Sequence, residues 1–389
     1  MSDDEVRARL TRIVRREEAL RITDASLLDG GWAGYADRID LPLSFRSCGS
    51  QAEMLSLAGR QQDDWLDRDG TPLWRMTVFD HPDDRGGRAR TLHAAFDHFV
   101  TDGRSMHLIE QELTAPAGAP GRTAARRSYR DWVARQHAHY PWDDPRPTSP
   151  AREFWHRHLA GTSVDRPTAL PFARVPPPGT PARITSVNLP VPLSAAALRA
   201  GAARLGVSPF LLVLTAVAGV TAQEAGTDDI TLRVISNGRP AGHLNTLGWL
   251  ADSFPVRLSH PELPDAQRSL TPTTAVWAQL LEFHTTPIGW IRATCPPAAE
   301  NEIPRERRRM QLVVNFVAHD IGGKYEVATE ESTEPGDIDG LHIVVLPGPD
   351  GRLRLGAMFS PGFFPPRETR AFLDGLVKGI ARLALHGNR

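Results

Sequence analysis

The stretch "TLHAAFDHFVTDGRSMHLIEQEL" (91–113) changes its apolar period part-way along. Read as a strand, its first half puts Leu92, Ala94, Phe96 and His98 on one face and His93 and Asp97 on the other. Beyond Gly103 the spacing is helical, with Met106, Ile109 and Leu113 on one side. The connection carries Asp97, His98, Asp102 and Gly103, and it can be read in two ways. In the first, Asp102 caps the helix, Asp-Gly is a turn pair and His98 is a hydrogen-bonded core histidine. In the second, His98 faces a cleft, where partial desolvation favours the neutral, basic imidazole. Such a group takes a proton from an amine or hydroxyl nucleophile. Gly103 then permits a tight turn and close approach of a ligand, and the helix-start N–H groups face a developing oxyanion.

The chain around this stretch has 389 residues, which makes two domains the default expectation. Its net charge of −1 gives neither a nucleic-acid footprint nor a polybasic membrane patch. Cys48 and Cys295 match no metal or redox spacing, which points to a reducing, cytoplasmic setting. The start "MSDDEVRARL" is too acidic and polar for a signal peptide, and the most apolar run (209–222) is too short to span a bilayer. No glycine-rich nucleotide loop is present. The expectation is a monomer with no nucleic-acid or membrane partner.

Val6, Leu10, Ile13, Val14 and Leu20 predict an amphipathic helix over 4–21. Residues 35–45 and 73–79 read as strands, and the polar turn 81–90 makes 73–79 and 91–96 a hairpin. Two amphipathic helices follow, and then the proline-rich 170–183, the best linker in the chain. The second half predicts helices over 193–207, 208–226 and 366–386, with Pro209 in the first turn of the second of these. It predicts extended elements at 229–236, 248–259, 308–319, 340–348 and 352–360. Both halves mix helices and strands, so the class is α+β, a mixed α/β sandwich. The expected division is 1–169, a linker at 170–183, and 184–389.

Several segments, in order, make the chain resemble the condensation-domain superfamily, which includes nonribosomal peptide synthetase condensation domains and acyltransferases of the chloramphenicol-acetyltransferase-like fold. The family signature HHxxxDG is matched by Asp97-His98-Phe99-Val100-Thr101-Asp102-Gly103. "RREEALR" (15–21) is similar to the end of the family's leading helix, and "PLWRMTVF" (72–79) to the strand before the signature. The helix, strand and "NGRP" turn of 208–240 resemble the family's second half. "NTLGWLADSFPVRL" (245–258) is similar to its VGxFVNTLPLR segment, and 353–377 to its closing strand and helix.

The resemblance implies two similar lobes forming a V-shaped pseudo-dimer with a central tunnel. A phosphopantetheine arm of an acyl or peptidyl carrier protein enters from each side. His98 is implied as the functional histidine, Asp102 as a structural carboxylate paired with Arg21 or Arg239, and Gly103 as a backbone donor near the thioester carbonyl. Asp97, Trp249, Ser236 and Asn315 are candidate tunnel residues, Asp97 standing where the family has its first histidine. A core role for Trp249 and turn roles for Ser236 and Asn315 are the plainer alternatives. The family has an extra strand and leading segment before the helix that ends in "RREEALR", so an altered acceptor side is expected. The acidic 322–340 is expected as a loop like the family's latch.

The His-rich "HAH" (137–139) and "EFWHRH" (153–158) have no metal-site spacing, so no metal is expected. The basic "PRERRRM" (304–310) is expected as a solvated loop, or as a contact for the acidic face of a carrier protein. The functional expectation is a stand-alone condensation-type acyltransferase. It joins a thioester-bound acyl or aminoacyl group, on a carrier protein or coenzyme A, to a small amine or alcohol, with no permanently bound cofactor. A non-catalytic docking module of the same fold is the competing expectation.

Overall fold

The computed structural model describes residues 1–26, 32–63, 71–83, 85–116, 127–141, 149–168, 170–295, 303–317, 331–348 and 350–386. The chain forms two compact units. One comprises Met1–Pro141 with Asn237–Ala251, and the other Trp142–Ser236 with Asp252–Arg389. This division differs from the expected one. The break falls after Pro141, and the proline-rich 170–183 lies inside the second unit. There Leu170 is buried and Arg174 N donates to Phe363 O at 3.0 Å, so this stretch covers a core and does not bridge units.

In the first unit, α1 (Asp3–Arg16) is capped by Ser2, with acids in its first turn and arginines in its last, as the helix dipole favours. Val6, Leu10, Ile13 and Val14 are its buried stripe. The helix stops at Arg16, and Leu20 sits in a separate 3₁₀ turn, Glu18–Arg21, whose Leu20 carbonyl accepts the indole N–H of buried Trp74 at 2.8 Å. Strands β1 (Ile22–Ser26) and β2 (Trp32–Tyr35) pair antiparallel. The strand expected over 35–45 is interrupted. β2 ends at Tyr35 and β3 (Leu43–Ser47) begins after Pro42, which has no N–H for a ladder.

Helix α2 (Gln51–Asp63) follows, then β4 (Trp74–Pro82) and β5 (Arg88–Phe96). The three-stranded sheet has the order β3-β4-β5. β3 and β4 are parallel, and β4 and β5 form the expected hairpin, with Trp74 opposite Phe96. Leu92, Ala94 and Phe96 turn their shared face to Leu10, Ile13 and Val14 of α1 and to Ile109 and Leu113 of α3 (Gly103–Thr114). Helix α4 (Tyr129–His139) opens on a capping box formed by Ser128 and Asp131.

The second unit holds a seven-stranded mixed sheet. Its elements in chain order are α5 (Pro150–His158), β6 (Arg183–Ser194), α6 (Ala195–Arg204), α7 (Pro209–Ala225), β7 (Asp229–Ser236), β8 (Asp252–Ser259), α8 (Leu270–Leu280), α9 (Ile288–Thr294), α10 (Arg305–Arg308), β9 (Leu312–Phe316), β10 (Ser332–Pro335), β11 (Leu341–Pro347), β12 (Arg352–Phe359) and α11 (Pro366–His386). The strand order is β10-β6-β12-β11-β9-β7-β8, with β9 parallel to both its neighbours. α7 is buried along most of its length, starts with Pro209 after the Ser208 cap and ends at Gly226 in the left-handed region. Of the expected element over 248–259 only 252–259 is strand, because 248–251 belongs to the first unit. Among the described residues no single helix is long and apolar enough to cross a membrane.

Candidate functional site

β5 ends at Phe96, and the backbone turns at once. Asp97 N still donates to Leu73 O at 2.9 Å, while its carboxylate accepts Phe99 N–H at 2.8 Å and caps a 3₁₀ turn, His98–Val100. Strand alternation therefore does not reach His98. Val100, fully buried, takes the interior place, and His98 is exposed. The expectation that His98 is partly desolvated on the face of Leu92, Ala94 and Phe96 is corrected for this reason. Among the described residues its imidazole has no hydrogen-bond partner.

Asp102 behaves according to both readings of the stretch. It is the N-cap of α3, its Oδ1 accepting Ser105 N–H at 2.9 Å. It is also buried and forked by Arg239, Nη2 to Oδ1 and Nη1 to Oδ2, each at 2.8 Å. Oδ2 further accepts the N–H groups of Leu250 and Ala251, each at 3.0 Å. Burial alone would raise this carboxyl. The hydrogen bonds and charge of Arg239, with the backbone N–H groups, more than offset that and hold it below the usual range. Arg21 is not the partner. Its guanidinium donates to the carbonyls of Ala36 and Asp37, the turn after β2.

The segment 237–251 is thus fastened to the start of α3. Ser105 Oγ donates to Gly248 O at 2.8 Å and accepts from Gly248 N and Arg239 Nη2, which uses all its capacity. Arg239 also donates to the Asn237 and Thr246 carbonyls. Two glycines are required here. A Cβ on Gly238 (φ +61°) would lie 1.6 Å from Leu250 O, and one on Gly248 (φ +146°) would lie 2.3 Å from the Tyr129 ring. Tyr129 Oη donates to Trp249 O at 3.4 Å. The Trp249 indole is held between these anchors, 36% exposed, with its ring centroid 5.2 Å from that of His98 and 6.3 Å from that of Phe99.

Gly103 has helical backbone as the first residue of α3, so the tight-turn explanation for it is corrected. It is exposed, and a Cβ there would meet nothing within 4 Å. Its freedom lies in open space beside a helix start. His98, Gly103 and Trp249 are exposed, whereas Asp102, Arg239 and Ser105 form a buried, hydrogen-bonded base in which the Arg239 Nε alone of these side-chain polar atoms has no partner among the described residues.

Ser236 and Asn315 lie in the second unit. Ser236 closes β7 opposite Asp252, and Asn315 pairs with Val344 in the middle of the sheet. Of the latch-like 322–340, residues 322–330 lie outside the described residues. Residues 332–335 form β10, an edge strand on β6. The run 304–310 is a short helix whose following Arg309 pairs with Asp337 and Asp339 and lies over the Phe363 ring, so it is not a free solvated loop. Among the described residues no group of three or more His, Cys, Asp or Glu is placed to hold a metal ion. His158 accepts Arg257 N–H at 3.0 Å, and burial with nearby Arg257 lowers it to about 4.

Sequence reasoning missed Ser105 and Tyr129. Ser105 was signalled by its place three residues after the cap, where a polar side chain often serves the helix start. Tyr129 carried no local signal, since its contact is with a glycine 119 positions later.

No protein-family model matches the chain. It is 26% identical over 280 residues, 66% of the chain, to the phosphinothricin tripeptide synthetase PhsC of Streptomyces viridochromogenes, and the match spans only 24% of that synthetase's length. Among solved structures, the X-domain from teicoplanin biosynthesis superposes with a TM-score of 0.73 at 17% identity, covering 100% of this chain and 89% of that one. The epimerization domain from the third module of tyrocidine synthetase B gives 0.71 at 18%, covering 100% and 90%. The first condensation domain of the calcium-dependent antibiotic synthetase, solved with a substrate analogue, gives 0.69 at 18%, covering 100% and 90%.

The chain has the condensation-domain fold. Condensation, epimerization and X-domains share this architecture, so the fold alone does not select among chemistries.

Proposed function

We propose that the protein is a condensation-type acyltransferase that forms an amide or ester from an acyl or aminoacyl thioester and a small amine or alcohol. The donor is a phosphopantetheine thioester on a carrier protein, with acyl-coenzyme A as the variant donor. The observation that carries the reading is the division of labour in "HFVTDG". Asp102 is wholly engaged in structure, while His98 is exposed, without a hydrogen-bond partner among the described residues, and adjacent to an open helix start.

The nucleophile's N–H or O–H donates to the imidazole of His98 as its lone pair attacks the thioester carbonyl. The tetrahedral oxyanion is met by the N–H groups of Gly103 and Arg104, since Asp102 takes those of Ser105 and Met106, and the positive dipole end of α3 favours it. Collapse re-forms the carbonyl and breaks the C–S bond, and the proton passes from His98 to the departing thiolate. No covalent bond to the enzyme forms.

The test is a mass-spectrometric assay of the full chain with acyl-loaded carrier protein and a panel of amines and alcohols. Wild type is expected to form product, and His98→Ala to fold normally and lose about 10²- to 10⁴-fold in rate. A folded His98→Ala protein with full turnover overturns the mechanism. A wild type that binds loaded carrier protein but never forms product supports the docking module.

A further inference from the structure

We infer that Trp249 is the positioning residue of His98: its ring sets the direction in which the imidazole meets the nucleophile. This rests on the proposed proton-acceptor role of His98. A base needs a fixed direction, because proton transfer falls off steeply with misplacement of the acceptor. Hydrogen bonds usually supply that direction, and among the described residues the His98 imidazole has none. Its side-chain neighbour is the Trp249 indole, with centroids 5.2 Å apart and planes inclined at 60°, within the range where tilted aromatic pairs attract. The Phe99 ring also neighbours the indole, with centroids 6.3 Å apart and planes inclined at 66°.

The indole can orient a partner because its own backbone is fixed on both sides. Gly248 exchanges two hydrogen bonds with Ser105 Oγ, Leu250 and Ala251 donate to Asp102, and Trp249 O accepts from Tyr129. The buried Asp102–Arg239 pair thus reaches the exposed imidazole through one aromatic contact. The lone exposed tryptophan of this segment is explained without assigning it to a core.

The experiment compares wild type, Trp249→Phe and Trp249→Leu in the full chain. One arm follows carbethoxylation of His98 by diethyl pyrocarbonate, resolved by peptide mass spectrometry. The other follows condensation turnover. Trp249→Leu, which keeps apolar bulk without a ring, is expected to raise the His98 modification rate by about 2- to 12-fold. It is expected to lower kcat by about 10-fold with KM within about 2-fold of wild type. Trp249→Phe is expected to restore most of both.

Unchanged His98 reactivity in Trp249→Leu overturns the inference. So does an unchanged kcat alongside raised reactivity, provided His98→Ala is inactive. If His98→Ala retains turnover, the functional reading fails, and the reactivity arm decides alone whether the ring holds the imidazole.

Discussion

Arg239 grips Asp102 through two parallel hydrogen bonds of 2.8 Å, and each side chain is 1% exposed. The pair joins residues 137 positions apart and closes 237–251 onto the start of α3. Removing one partner leaves the other charged and buried. Asp102→Ala is therefore expected to destabilise the first unit by about 3–5 kcal/mol, read as a lower urea midpoint at unchanged slope. Arg239→Lys is expected to lose much of the same stability, since an ammonium cannot make the fork.

Gly103 and Gly248 make opposite predictions for the same substitution. Gly103→Ala adds a methyl into open space on helical backbone, and its stability is expected to stay within about 0.5 kcal/mol of wild type. Gly248→Ala drives a Cβ to 2.3 Å from the Tyr129 ring, at φ +146°. A loss of about 2 kcal/mol or more is expected by thermal or urea unfolding, with the Trp249 fluorescence environment altered.

Asp97, in the place of the family's first histidine, earns a structural explanation as the cap of the turn that carries His98. Asp97→Asn keeps an acceptor oxygen and is expected to remain near wild type. Asp97→Ala is expected to cost about 1 kcal/mol in unfolding free energy.

His158 predicts an acid limit for the second unit. Burial and Arg257 lower its pKa from 6.5 to about 4 in the folded chain, where Nε2 accepts a backbone N–H. The unfolded chain thus binds the proton more readily. This contribution to stability is fully present above about pH 7.5 and is lost as pH falls from about 6.5 to about 4. Over that window the loss reaches about 3 kcal/mol. His158→Gln is expected to flatten the slope in denaturation measured across those pH values.

Local sequence was enough wherever a signal is local. The stripe of α1, the apolar run of α7, the β4–β5 hairpin and the Pro209 start all follow from residues a few positions apart, while of the expected α3 face Ile109 and Leu113 are buried and Met106 is exposed. It failed where the backbone changed conformation within one residue. Alternation carried through to His98 although the strand stops at Phe96, because a period of two cannot announce a 3₁₀ turn. The linker at 170–183 failed similarly: prolines mark irregular backbone, but whether that backbone bridges units or covers a core depends on what lies beneath Leu170.

The sequence by itself determined the α+β class and, through short-range pattern, elements such as α1, α7 and the β4–β5 hairpin, while the nomination of His98, Asp102 and Gly103 came with the family resemblance carried by segments along the chain. Only the tertiary structure decided between Arg21 and Arg239 as the partner of Asp102, because both fit by motif and only one is brought to the carboxylate. It also turned Asp97 into a cap and set Trp249 against His98. The Arg239 and Trp249 choices depend on contacts spanning more than a hundred residues, and all three on the directions of side chains, which hydrophobic spacing along a chain does not encode.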